Sequence, residues 1–122
     1  MDEATYRRAR AAIDAAHAAD PAGSERAYAD SVEAWLERLI DDPRPVDRLA
    51  ARCQHLERWT IPRDSFPMDR PGYLRWRIAV HERQGERARE LLVDAGVDPE
   101  TAATVADAVG KRHRTEPLPQ AL

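Results

Sequence analysis

Between Ala50 and Arg77 the chain reads AARCQHLERWTIPRDSFPMDRPGYLRWR, and that run, with the nearby Arg48, mixes several kinds of side chain able to do chemistry. His55 can carry a proton or ligate a metal. Glu57, Asp64 and Asp69 can act as acids, bases or oxygen ligands. Arg48, Arg52, Arg58, Arg63, Arg70, Arg75 and Arg77 offer planar forks that fit phosphate and carboxylate. Trp59, Tyr73 and Trp76 can stack on a flat ligand or on a guanidinium. Each type has a plainer use as well. A lone His near a helix end is often only packed, exposed Arg and carboxylates pair with one another, and Trp at helical spacing fills cores. What favours a site is the concentration of all of these around a loop bracketed by prolines.

From these residues the expected machinery has His55 as general base or metal ligand, and Glu57 or Asp69 as second ligand or acid–base group. Arg58, Arg63, Arg70 and Arg77 would form an anion clamp, and Tyr73 and Trp76 would complete the substrate surface. A divalent metal is the cofactor such a set would take, yet no HxxxH, HExxH or CxxC spacing is present. His81, on the following helix one turn past Arg77, is a weaker candidate placed to reach the loop. His113 sits in a cationic stretch, Lys111-Arg112-His113-Arg114, suited to a helix C-terminus. His17 reads as a surface residue. There is no glycine-rich phosphate loop and no serine-nucleophile motif.

The elements that must position these groups all read as helices. Tyr6, Ala9, Ile13 and Ala16 place an apolar stripe on a helix from Thr5 to about Ala19, ended by Asp20-Pro21. A second helix opens at Gly23-Ser24, with Ser24 as N-cap, and runs to about Ile40. Its expected inner face is Tyr28, Val32, Trp35, Leu36 and Leu39. After the break Asp41-Asp42-Pro43-Arg44-Pro45, a third helix is expected from Val46 to about Trp59, burying Val46, Leu49, Ala50, Cys53 and Leu56. The segment from Ile61 to Pro71 has three prolines and no helical period, so it is a loop; Ile61, Phe66 and Met68 should pack it down. A long helix follows from Pro71-Gly72 to Asp94 and stops at Ala95-Gly96. Asp98-Pro99-Glu100 restarts the chain into a last helix to about Lys111. The tail, residues 115–122, should fray.

The 122 residues suffice for one domain, and no linker, repeat or strand pattern divides them. The fold class is all-α: a single bundle of about five helices, orthogonal or irregular. Expected core anchors are Trp35, Leu36, Leu39, Ile40, Leu49, Leu56, Trp59, Leu74, Trp76, Leu91 and Leu92. Net charge is −3, which argues against a generic nucleic-acid binder. Of the 19 basic residues all but Lys111 are Arg, a bias a GC-rich genome produces on its own, so only local clustering of Arg is informative. No apolar run approaches the roughly 20 residues of a membrane span. The charged start MDEATYRRAR has no signal-peptide core, and the single Cys53 forbids an internal disulfide, so a reducing cytoplasmic setting is expected.

The signature from Ala50 to Arg77, the DPAGSERAYADSVEAWLERL entry helix, ERARELLVDAGVD and the final KRHRTEPLPQAL together resemble domain-of-unknown-function family 4202. The resemblance covers most of the chain. Its helical order is similar to that of HD-type phosphohydrolases, in which an early His, a His-Asp pair and a late Asp bind metal and hydrolyse phosphoesters. That likeness implies an HD-like, metal-dependent hydrolase of a phosphorylated or nucleotide-like small molecule. This sequence departs from the pattern in several places. Tyr28 stands near the first His position. His55 is followed by Leu56 rather than Asp. Gln84 stands where family members often have His. The late acidic residue falls past Leu122, so a C-terminally truncated copy is expected, with self-association through the surface a missing helix would leave. The alternative is a non-catalytic module binding an anionic ligand or a protein through the same Arg- and Trp-lined loop.

Overall fold

In a computed structural model that describes residues 1–111, every regular element is helical. They are α1 (Glu3–Ala18), α2 (Glu25–Leu39), α3 (Pro45–Arg52), α4 (Arg70–Asp94) and α5 (Pro99–Val109). Two short 3-10 turns, Arg58–Thr60 and Arg63–Ser65, lie between α3 and α4. The all-α expectation therefore holds. The tail and the stretch Arg112-His113-Arg114 lie outside the described residues.

Caps set most boundaries. Asp2, Asp69 and Asp98 accept hydrogen bonds from the backbone N–H of Thr5, Gly72 and Thr101, satisfying first-turn donors of α1, α4 and α5. Ser24 does not cap α2 with its own side chain. The cap comes from Asp20, whose carboxylate accepts from the backbone of Ala22, Ser24 and Glu25. Three donors on one carboxylate favour its charged form, so Asp20 titrates low although burial opposes this.

The apolar core is built from α1, α3, α4 and α5. Ala9 and Ile13 meet Leu49, Cys53, Leu56, Ala88, Leu92, Val105 and Val109. The long helices α4 and α5 approach closely because Gly85 has no side chain: a Cβ there would sit 2.9 Å from the carbonyl oxygen of Ala106. Gly72 likewise lets the backbone of Pro67 rest on the start of α4.

By contrast, α2 is held largely by charge. Its buried residues are Ala29, Glu33 and Leu36. Glu33 receives Arg10 from α1 at 2.7 and 2.8 Å, and Arg48 and Arg52 from α3 at 3.1 and 3.0 Å. Arg52, only 1% exposed, also reaches Asp14 of α1 and Asp30 of α2. Burial alone would raise the Glu33 carboxyl, but the Arg10 and Arg48 hydrogen bonds, with Arg52, pull it down to about 2.

This corrects the expected face of α2. Tyr28, Trp35, Leu39 and Ile40 are exposed, and Glu33 points inward. An apolar stripe on one helix cannot reveal three arginines arriving from two others. Leu74 is exposed as well, whereas Leu36, Leu49, Leu56, Trp76 and Leu92 are buried as expected. In the loop, Ile61 and Phe66 are partly covered and Met68 is exposed. His17 is 1% exposed rather than superficial, with Nε2 2.6 Å from the carbonyl oxygen of Arg52.

Candidate functional site: an arginine-lined pocket beside His55

The third helix stops at Arg52, about two turns short of the expected Trp59. Its apolar spacing continues through Cys53 and Leu56, and both are buried, but the backbone does not stay helical. His55 and Glu57 adopt left-handed conformations, with φ of 61° and 52°. Non-glycine residues rarely take these values, and finding two of them within three residues marks a turn held by its surroundings.

The surroundings that hold His55 come from α2. Glu25 and Tyr28, one turn apart, share a face of that helix. The Tyr28 ring stacks on the imidazole, with centroids 3.8 Å apart and planes within 1°. Glu25 Oε2 lies 3.8 Å from His55 Nδ1 and makes no hydrogen bond despite being buried. On the other edge of the ring, Nε2 lies 3.4 Å from Arg58 Nη1. A guanidinium only donates, so Nε2 carries the lone pair and the proton sits on Nδ1, facing Glu25. Burial, followed by the positive charge of Arg58, pushes His55 down to about 4. Lys111, His17 and His81 add to this shift. The ring is therefore neutral at physiological pH. Burial and the neighbouring Asp20 raise the Glu25 carboxyl, with Arg58 opposing them.

Beside His55 and Arg58 lies a pocket of about 320 Å3 lined by His55, Arg58, Tyr73, Trp76, Arg77, Val80, His81 and Gln84. Among the described residues no carboxylate lines it. Arg58 lies 5.2 Å over the ring of Trp76, whose Nε1–H donates to the Ile61 carbonyl at 2.8 Å and ties the loop to α4. Arg77 lies 5.9 Å from the Tyr73 ring. His81 titrates low because of burial and the charges of Arg77, Lys111 and Arg58. Two guanidinium groups thus meet two neutral imidazoles in one concave site.

The expected site residues divide into two groups. His55, Arg58, Tyr73, Trp76 and Arg77 come together at the pocket. Glu57 does not: it accepts from Arg87 at 2.9 Å and lies 3.5 Å from Arg83, locking the turn onto α4. Asp69 is spent on capping α4. Arg63 donates to the carbonyl oxygens of Phe66, Pro67 and Asp69, so it pins the loop. Arg70 begins α4, exposed and away from the pocket lining. Glu25 and Tyr28 were missed as site residues, although their i, i+3 spacing at the start of a helix was visible. Tyr28 stacks on His55, and Gln84 lines the same pocket as His55.

The metal expectation does not fit these residues. Among the described residues no three His, Cys, Asp or Glu side chains are grouped to hold an ion. His55 and Glu25 supply two donors, where protein metal sites use three or four. No helix among the described residues is long and apolar enough to cross a membrane.

The family model described as "Domain of unknown function (DUF4202)" matches residues 7–122. No curated protein and no solved structure matches the chain.

Proposed function

The chain belongs to the DUF4202 family, whose description names no activity, and we propose from the pocket itself that it binds a small anionic molecule between the His55 turn and α4. The observation that carries this reading is the composition of the pocket wall. Arg58 and Arg77 enter it, His55 and His81 face it uncharged, and no Asp or Glu among the described residues lines it. A cavity walled by donors and low-dielectric ring faces strengthens an anion's hydrogen bonds. Its volume suits one anionic group with a small appendage rather than a polymer.

The hydrolase expectation has less support, because the metal it needs finds too few donors at His55. Calorimetric titration with inorganic phosphate tests the binding reading. The wild type should bind, and Arg58→Ala and Arg77→Ala should each weaken binding by about tenfold or more, the usual loss for a charge-assisted contact. Equal affinity in all three proteins would overturn it.

Self-association is a second, independent part of the proposal. Trp35 and Leu39 on α2, and Leu74 and Ile78 on α4, are exposed apolar residues of the kind a partner surface covers. A cytoplasmic location accords with the buried, unpaired Cys53.

A further inference from the structure

An anion pocket made only of donors treats phosphate and sulfate alike. This one also contains an acceptor. His55 and Arg58 both line the pocket, and because Arg58 Nη1, which can only donate, sits 3.4 Å from His55 Nε2, that nitrogen carries the lone pair. The opposite nitrogen faces the buried Glu25 Oε2 at 3.8 Å. That oxygen is buried without a hydrogen-bond partner, so its charge favours the proton on Nδ1 and keeps Nε2 free of one. Stacking on Tyr28 fixes the ring plane, and the left-handed backbone at His55 fixes where the ring leaves the chain. A flip of the ring would keep that plane but would carry Nδ1 away from Glu25 and Nε2 away from Arg58.

We propose that the pocket selects a phosphate group carrying one proton, whether inorganic phosphate or a phosphomonoester, with His55 Nε2 accepting the P–OH hydrogen bond and Glu25 holding His55 in that tautomer. The inference rests on the anion-binding reading above. Arg58 and Arg77 take the unprotonated phosphate oxygens. When the anion enters, the Arg58 N–H that met Nε2 turns to a phosphate oxygen, and Nε2 takes the P–OH in its place. Sulfate and carboxylate ligands have no such hydrogen at neutral pH. They set a lone pair against the lone pair of Nε2 on the partly buried ring, which is how a polar site rejects a near-isostere.

Burial and the cationic or titratable groups Arg58, Lys111, His17 and His81 favour the neutral imidazole, while Glu25 opposes them. Arg58 and His81 border the pocket, Lys111 follows α5, His17 ends α1, and Glu25 projects from α2. With His55 near 4, Nε2 stays an acceptor above that pH and becomes a donor below it. A phosphomonoester loses its second proton near pH 6, so the preference is largest between those values and shrinks as pH rises past the second.

The test is calorimetric titration of the full chain at about pH 6, the region of that second ionisation, with phosphate, methyl phosphate and sulfate as probes. Phosphate and methyl phosphate should bind roughly tenfold or more tightly than sulfate, the value of one buried hydrogen bond to a charged group. Glu25→Gln and His55→Asn should bring phosphate down to the sulfate level and leave sulfate little changed. Asn tolerates the left-handed backbone, which keeps the turn. If His55→Asn fails to fold, Glu25→Gln together with the nitrogen shifts of the wild-type imidazole decides, Nδ1–H being the expected tautomer. Equal binding of phosphate and sulfate by the wild type would overturn the selectivity and leave the anion pocket standing. Binding of neither anion would overturn both.

Discussion

Replacing Glu33 by Gln should detach α2 electrostatically, and the size of the effect follows from the buried network. Glu33 meets Arg10, Arg48 and Arg52 together. Its side chain is 10% exposed, so solvent screens it little. Its pKa falls from the ordinary 4.5 to about 2, which corresponds to about 3 kcal/mol of folding free energy. Because the folded pKa is the lower one, this stability is fully present above pH 4.5 and is lost as pH falls through about 2. Gln keeps the side-chain oxygen but not the charge, so Glu33→Gln should cost about 2–3 kcal/mol at pH 7, or roughly 10 °C in Tm. Urea unfolding followed by circular dichroism at several pH values measures both parts. The gap between wild type and variant should be full at pH 7 and should close towards pH 2. A gap that stays constant across that range would refute the reasoning, since it would show that the loss is one of packing and not of charge. Glu25 and Tyr28 ride on α2, so the same variant should also weaken anion binding.

Arg52→Ala should be harsher, about 3–5 kcal/mol by the same unfolding assay, because it strands the carboxylates of Asp14 and Glu33 with fewer partners. Gly85→Ala should cost about 1–3 kcal/mol by forcing α4 and α5 apart at Ala106, while an Ala at the exposed neighbour Glu86 should stay within about 0.5 kcal/mol. Cys53 is fully buried, and burial raises its thiol to about 12; it should resist thiol reagents in the native protein and react on unfolding, and rapid labelling without denaturant would contradict the packing described. Light scattering at tens of micromolar should detect association that Trp35→Ser with Leu39→Ser abolishes.

The helices and their breaks were readable because the signals are local. Asp98-Pro99 starts a helix, Ala95-Gly96 ends one, and buried positions recur at helical spacing through Ala9, Ile13, Val105 and Val109. What failed depended on distant partners. Trp35 is the better core residue by type, yet Glu33 is buried because arginines from α1 and α3 converge there. The spacing of Cys53 and Leu56 continues that of α3, so the sequence could not show that the chain turns left-handed at His55 and Glu57. Half of the pocket was legible as a crowd of Arg, His and aromatic residues. The rest was not, because Glu57 and Asp69 were claimed by Arg87 and by a helix cap, and Glu25 and Tyr28 reach His55 from far along the chain.

The most direct measurement is a two-dimensional 1H–15N NMR titration of the isotopically labelled chain with inorganic phosphate, including the side-chain signals of arginine. Saturable shifts should centre on His55, Arg58, Tyr73, Trp76, Arg77 and His81, the residues that line the pocket. Shifts scattered over surface cations such as Arg7 and Arg44, or none at all, would contradict an anion site there.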